Sequence, residues 1–391
     1  MTEGRGLFSP GFLAINLLFA LVTAIAALFF AFSGYLSWLG VAPATAGFII
    51  SADALASLVV QPFITPLVHP AVSRRWLVAG SLIFSAALFL TGHVTTVPLL
   101  VACRLLQGTG FICTLTALIT IVVGFIPPDM SGRAFGWISL IRLIPYAVIP
   151  PLFDVMKLAP PSFVAVLNVA GLAALVPVLA LALPETGQAG EGKKSPSPGF
   201  SGMFRSLRSP AIAVLLASAL LFFSAYSAVF FYLRQFGAAL GIARPSLFFT
   251  IATVMMIVVR LWGGWLFDRY SKVMLCMGGL LAAALSYALL PLCPSDLMFR
   301  VLAGLAGLGW GIAMPLQAAF MFDISAPEAR GMNQNLLIVM MQGGFFLGPL
   351  LGGQVISHYG FGALFVFLAG ITFMALIMMG WSGGCAKKPM T

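Results

Sequence analysis

Residues 97–124 read VPLLVACRLLQGTGFICTLTALITIVVG, and residues 297–322 read LMFRVLAGLAGLGWGIAMPLQAAFMF. Each is an apolar run long enough to cross a bilayer as a helix, which takes about 20 residues at a rise of about 1.5 Å each. A shift of about 199 residues superposes Gly108 and Gly110 on Gly307 and Gly309. The same shift carries Pro128 onto Pro327, Gly132 onto Gly331 and Pro150 onto Pro349, so the register extends well beyond one helix. The chain therefore reads as two copies of one membrane unit. That duplication is the pattern of a transporter whose substrate path lies between parallel repeats.

Similar apolar runs occur on both sides, twelve in all. The first six fall at about 11–36, 46–68, 76–93, 97–124, 135–155 and 162–183, and the second six at about 209–236, 245–267, 273–291, 297–322, 333–357 and 361–382. The expected fold is an all-α integral membrane protein of twelve transmembrane helices in two six-helix pseudo-repeats, residues 1–183 and 209–391. Between them residues 184–208, PETGQAGEGKKSPSPGFSGMFRSLR, have too little to bury and read as a cytoplasmic linker. Composition agrees: of 391 residues 61% are hydrophobic and 8% charged, with a mean hydropathy of +1.08, whereas soluble domains carry roughly 25% charged residues. A soluble enzyme is excluded. The formal charge of +10 is spread over span ends and is no nucleic-acid footprint. Thirteen of the twenty Lys and Arg, among them Arg5, Arg74, Arg75, Arg133, Arg269, Lys272 and Arg330, collect on the side of the N-terminus, and three (Lys157, Arg234, Arg244) on the other. The positive-inside rule then places both termini in the cytoplasm. The first run is too long for a cleavable signal and lacks a cleavage site, so it is expected to stay in the mature chain. The five cysteines form no CxxC pair, so no disulfide framework, structural metal or cofactor is expected.

Three stretches carry a resemblance to the major facilitator superfamily. Gly264-Trp-Leu-Phe-Asp268-Arg269-Tyr-Ser-Lys272 resembles its G-x-L-x-D-R-x-G-R/K loop signature, with Ser271 where Gly is usual. The equivalent loop after span two keeps only Arg74 and Arg75, with Pro66 and Pro70 where the glycine and aspartate would fall. In span four Arg104-Leu-Leu-Gln107-Gly108-Thr-Gly110 resembles the R-x-x-Q-G-x-G signature that proton-driven members associate with coupling. In span eleven Gly344-Phe-Phe-Leu-Gly348-Pro349-Leu-Leu-Gly352-Gly353 is similar to the G-x-x-x-G-P-x-x-G-G pattern that antiporters carry in span five, where this chain keeps only Pro150. The resemblance implies a secondary active transporter of the bacterial inner membrane, working by alternating access. Read from the residues alone, Gly344, Gly348 and Gly352 let helix backbones approach closely, with a gate or hinge at Gly348 and Pro349 as the alternative.

Ionisable groups within spans are costly, about 2.5–3.5 kcal/mol on insertion scales, and each calls for a partner or a purpose. Asp53 in span two and Arg104 in span four share one depth, so Asp53 reads as the counterion of Arg104, as the carboxylate that carries the driving proton, or as both. Arg142 in span five and Arg260 in span eight share the other depth. The resemblance implies that these spans face each other across the two halves, and two guanidinium groups there suit a carboxylate or phosphate. The alternative for each is a helix-end carbonyl or the membrane interface. Asn16, Tyr226, Tyr232 and Gln317, with Gln107 and Gln342, lie on spans expected to line or adjoin the cavity.

Because half one has Pro70 and Ser131 where half two has Asp268 and Arg330, both charges are missing together, and a cytoplasmic pair of Asp268 with Arg330 is expected, with Arg269 and Lys272 nearby. The expected cargo is a small organic solute, an organic anion or an amphipathic drug-like compound, moved with protons by a monomer embedded in lipid. No nucleotide-binding loop appears. An enzyme would need converging acid, base or metal groups, and the intramembrane inventory is one aspartate and several arginines. With this linker and short tails, the signalling domain of a sensor is not expected. Met255, Met256, Met340 and Met341 raise copper transport, but with no His or Cys on the same helical face they read as adaptable packing.

Overall fold

The computed structural model describes residues 8–64, 67–68, 70–126, 137–138, 140–156, 160–183, 207–293, 295–326 and 329–386, with backbone alone at 160, 263–268 and 331. Most of the linker, residues 184–206, lies outside the described residues. Helices account for every regular element of more than three residues among those described, save one 3-10 turn series at Val176–Ala182. A hydrocarbon environment demands this, because each backbone N–H and C=O must find its partner within the segment.

Span one is α1 (Pro10–Leu28) and α2 (Phe32–Trp38), joined by a 3-10 turn at Phe29–Ala31. Spans two to six are α3 (Pro43–Ile64), α4 (Pro70–His93), α5 (Val97–Val123), α6 (Ile144–Val155) and α7 (Phe163–Ala173), the last continued by Val176–Ala182. Spans seven to ten are α8 (Pro210–Ala239), α9 (Leu247–Arg269), α10 (Lys272–Leu289) and α11 (Asp296–Ile324). Spans eleven and twelve are the two arms of α12 (Arg330–Ala386), which breaks at Gly360, where φ is +79°. Each of the twelve expected spans thus has its helix. The chain divides into two compact units between Lys193 and Lys194, with Ala42–Gly47 grouped with the second.

Local chemistry sets the helix ends. Ser9 caps α1 by accepting from the Phe12 amide at 3.3 Å, with Pro10 in the first turn, where its missing N–H costs nothing. Gly40 and Gly241 close α2 and α8 at φ of +80° and +76°, with Val41 N–H donating to Leu36 O and Ile242 N–H to Gly237 O at 3.0 Å. One expected boundary moves, and one span is interrupted. Span three starts at Pro70 instead of 76, which puts Arg74 inside α4, from where it donates to the carbonyls of Leu181 (3.2 Å) and Leu183 (2.7 Å) at the end of span six. Span five, expected from 135, is helical at 137–138 and 140–141, turns at Arg142 and Leu143, and continues as α6 from Ile144. Pro145 has no N–H to give, so tighter bonds, Leu143 N–H to Leu140 O (3.0 Å) and Tyr146 N–H to Leu143 O (3.1 Å), interrupt the helical ladder and leave Arg142 in a turn within the span.

The repeat is visible in the packing of each unit. A Cβ on Gly108 would overlap the Asp53 carbonyl, and one on Gly307 would overlap the Ala252 carbonyl. Gly110 abuts Phe84 and Gly80, while Gly309 abuts Ala283 and Gly279. In all these pairs the partner residues differ by 199 in number, as the glycines do. Each unit is therefore an internal control for the other: what one carries and the other lacks is not required by the helix packing they share.

Candidate functional site

In the first unit the site is built around Arg104, seven residues and about 10 Å into α5. Its side chain is 1% exposed. Nη2 stands 3.6 Å from Oδ2 of Asp53, whose side chain is 28% exposed, and donates to the Ile50 carbonyl at 3.1 Å. The guanidinium lies over the rings of Phe29 (4.5 Å) and Phe32 (5.3 Å), which flank the 3-10 turn of span one. Arg104 thus joins spans one, two and four. Its Nε and Nη1, and Oδ1 of Asp53, have no hydrogen-bond partner. Tyr146 of α6 lies within electrostatic reach of both Asp53 and Arg142, which links the half-buried Arg142 to the same cluster. The shift of 199 residues puts Ala252 and Ala303 in the places of Asp53 and Arg104. The charge pair belongs to one unit only, and close packing at Gly108 does not need it.

The other polar residues expected at the cavity are placed as follows. Asn16 and Gln107 are buried; Asn16 Nδ2 donates to Phe12 O at 2.8 Å, while Oδ1 of Asn16 and Oε1 of Gln107 have no partner. In the second unit Tyr226 is half-buried, its ring edge-on to Trp310 (4.8 Å) and Phe345 (5.9 Å), and Trp310 Nε1 donates to the Tyr287 hydroxyl at 2.6 Å. Gln317, two turns from Trp310 on α11, is 0% exposed with neither amide atom bonded. Gln342 and Arg260 are half-buried, on α12 and α9.

Tyr232, expected at the cavity, is 2% exposed and donates its hydroxyl to Pro349 O at 2.8 Å, so it ties span seven to span eleven. The expected gate at Gly348 and Pro349 lies on that same seam: Gly348 abuts Ser224 and Ser227, and Ser227 donates to Gly344 O at 3.0 Å. These contacts hold spans seven and eleven together within one unit, which is the close-packing reading of the glycines.

At the other end of the second unit Lys272 meets Asp323 at 2.6 Å, an acid the sequence reading passed over, and Arg330 lies 4.0 Å over the ring of Phe322. The side chain of Asp268 lies outside the described residues, and Arg269 is exposed. Asp323 was detectable in principle: it ends span ten as Lys272 opens span nine, and helix ends on one membrane face are neighbours.

The sequence model of the Major Facilitator Superfamily matches residues 12–331 and 246–383. The chain belongs to this superfamily. It is a multi-pass integral membrane protein of a transporter family. It is similar to the staphyloferrin B transporter of Staphylococcus aureus, 32% identical over 143 residues, which cover 37% of this chain and 32% of that protein. A multidrug resistance protein B homolog of Mycobacterium tuberculosis is 26% identical over 147 residues, 37% of this chain and 27% of the relative. The matches span about a third of those relatives' length or less. The crystal structure of the nucleoside transporter NupG superposes with a TM-score of 0.80 over 97% of this chain and 100% of that one, at 17% identity, a likeness of fold.

Proposed function

We propose that this superfamily member is a secondary active transporter that moves a small organic anion across the cytoplasmic membrane by alternating access, with Asp53 as the group that takes up and releases the driving proton. The observation that carries the proton site is the asymmetry of the pair: the arginine side chain is 1% exposed, the side chain of its partner Asp53 is 28% exposed although Oδ1 is buried, and the second unit does without either. A proton on Asp53 abolishes the ion pair, and Arg104 then keeps only the Ile50 carbonyl and the two rings. Spans one, two and four are thereby loosened or tightened by one protonation event, the differential contact a conformational switch requires. Both termini and the linker are cytoplasmic on the cation count. Lys272, paired with Asp323, and Arg330 supply charged contacts at the inner ends of the second half, with Asp268 and Arg269 ending α9 just before Lys272.

The anion is inferred from Arg142 and Arg260, since guanidinium pairs with carboxylate or phosphate through two parallel hydrogen bonds. The competing reading, an amphipathic drug-like compound, draws on the Tyr226, Trp310 and Phe345 cluster and on the multidrug relative. The test is stabilisation of the purified protein by benzoate, citrate and tetraphenylphosphonium, because a ligand of the native state raises its melting temperature. Stabilisation by a carboxylate that falls at least tenfold in affinity on Arg142→Lys or Arg260→Lys supports the anion. Stabilisation by the cation alone, unchanged in both variants, replaces it with the drug reading.

A further inference from the structure

The first unit holds a groove of about 360 Å³ between α1, α6 and α7, lined by Ala24, Ile25, Leu28, Ile149, Ala165 and Val166 among others, and the surface it exposes is entirely apolar. Its place in the fold explains it. Shifted by 199 residues, these six positions are Phe223, Ser224, Ser227, Gly348, Leu364 and Phe365 of the second unit. There spans seven and eleven meet directly: Gly348 abuts Ser224 and Ser227 and Gly344 abuts Phe223, while Phe365 lies tilted on Phe236 at 4.4 Å, nearer the end of span seven. Ser218 ties span seven to span twelve next to this place by donating to Ala375 O at 2.7 Å. In the first unit Ile149 stands in place of Gly348 and lines the groove. Ala24, Ala165 and Val166, which line it too, are smaller than the Phe223, Leu364 and Phe365 at the shifted positions. The glycine pattern missing from span five thus has a structural consequence, a space where its counterpart has a contact.

The groove lies in the middle of the spans, Ala24 being 14 residues, or about 21 Å, into a first span of 29 residues. It is elongated, following two turns of α1 and three of α7, and it opens beside Val169, which both lines it and is 67% exposed. Leu17 and Leu172, also exposed, continue this apolar surface, so the mouth is continuous with the face that membrane spans turn to lipid. Water gains nothing in an apolar cavity, and a void forfeits the dispersion contacts of its walls. The volume is more than twice the roughly 150 Å³ that takes up a benzene. We propose that this groove binds one acyl chain of a bilayer phospholipid, held as a fixed lipid of the first unit.

The test uses the full chain in detergent micelles with added 1-palmitoyl-2-oleoyl-phosphatidylglycerol, with retained lipid counted by native mass spectrometry. The double variant Ala24→Phe with Val166→Phe fills the groove with the residues the second unit carries at those positions. Wild type keeps one lipid through delipidation and gains melting temperature on lipid addition; in the double variant retention falls roughly tenfold or more and the gain is lost. Leu281→Phe, on an exposed face of α10, leaves both unchanged. Independently of whether the double variant folds, a phosphatidylcholine with a diazirine in its acyl chain cross-links wild type within residues 21–28 and 162–173. Equal retention in the double variant overturns the proposal. So does cross-linking confined to other surfaces, or labelling of the groove by a diazirine fatty acid but not by the phospholipid.

Discussion

Substituting Ala for Arg104, alone and together with Asp53→Ala, separates the support the pair gives the fold from the charge it must balance. Arg104→Ala removes a charged donor from the Ile50 carbonyl at 3.1 Å, worth about 1.5–3 kcal/mol, and strips Asp53 of its cation. An unpaired acid at the bilayer centre costs about 2.5–3.5 kcal/mol, but with the Asp53 side chain 28% exposed roughly half of that applies. The single variant is therefore expected to lose about 3–5 kcal/mol, in line with breaking a buried pair. Asp53→Ala leaves Arg104 with the carbonyl and the two rings and costs less, about 1–3 kcal/mol. The double variant reproduces the arrangement of the second unit, Ala252 beside Ala303, and holds no buried charge. It should be more stable than Arg104→Ala by about 1–2 kcal/mol although it carries one more substitution. Reversible unfolding in mixed micelles, followed by circular dichroism, gives the three values. If the double variant loses the sum of the two singles to within about 0.5 kcal/mol, the residues do not act as a pair and the reasoning fails.

Tyr232→Phe leaves the Pro349 carbonyl without its donor and is expected to cost about 1–3 kcal/mol with substrate affinity unchanged, measured by thermal unfolding and ligand titration; a tenfold loss of affinity at full stability would return Tyr232 to the substrate site. Gly108→Ala and Gly307→Ala each press a methyl group onto a facing carbonyl and should both destabilise by about 1–3 kcal/mol, so a neutral result at either position contradicts the shared packing of the units. Lys272 and Asp323 are 31% and 44% exposed, so exchanging them should change stability by only about 0–1 kcal/mol while restoring the transport lost on either single neutralisation; no rescue in a transport assay would leave the pair without a gating role.

The spans and the duplication were legible because hydrophobic length and glycine spacing are read directly from the sequence and leave the chain few other ways to bury its backbone. The pairing of Asp53 with Arg104 was legible for a related reason: two ionisable residues at one depth in a costly medium have few partners to choose from. The turn that Arg142 occupies within span five was not legible, because hydropathy is blind to the missing N–H of Pro145. Phe29 and Phe32 went unnoticed as the floor beneath Arg104, since in a chain with 34 phenylalanines no spacing rule singles out two. Tyr232 looked like a ligand contact because a lone polar group on an apolar span reads the same whether it faces a cavity or a neighbouring carbonyl. The groove beside Ile149 had a signal, the glycines that half two keeps and half one has lost, but a lost contact shows as space only once both halves are folded.

Proton coupling at Asp53 is tested most directly in proteoliposomes holding the purified chain, with uptake of a stabilising carboxylate followed under an imposed pH gradient and, separately, as exchange without one. Asp53→Asn keeps the shape of the side chain and removes its titratable group. This variant is expected to bind and exchange the solute as wild type does and to fail to accumulate it against its gradient. Undiminished uphill accumulation in Asp53→Asn would contradict it, and would leave Asp53 as the structural counterion of Arg104 alone.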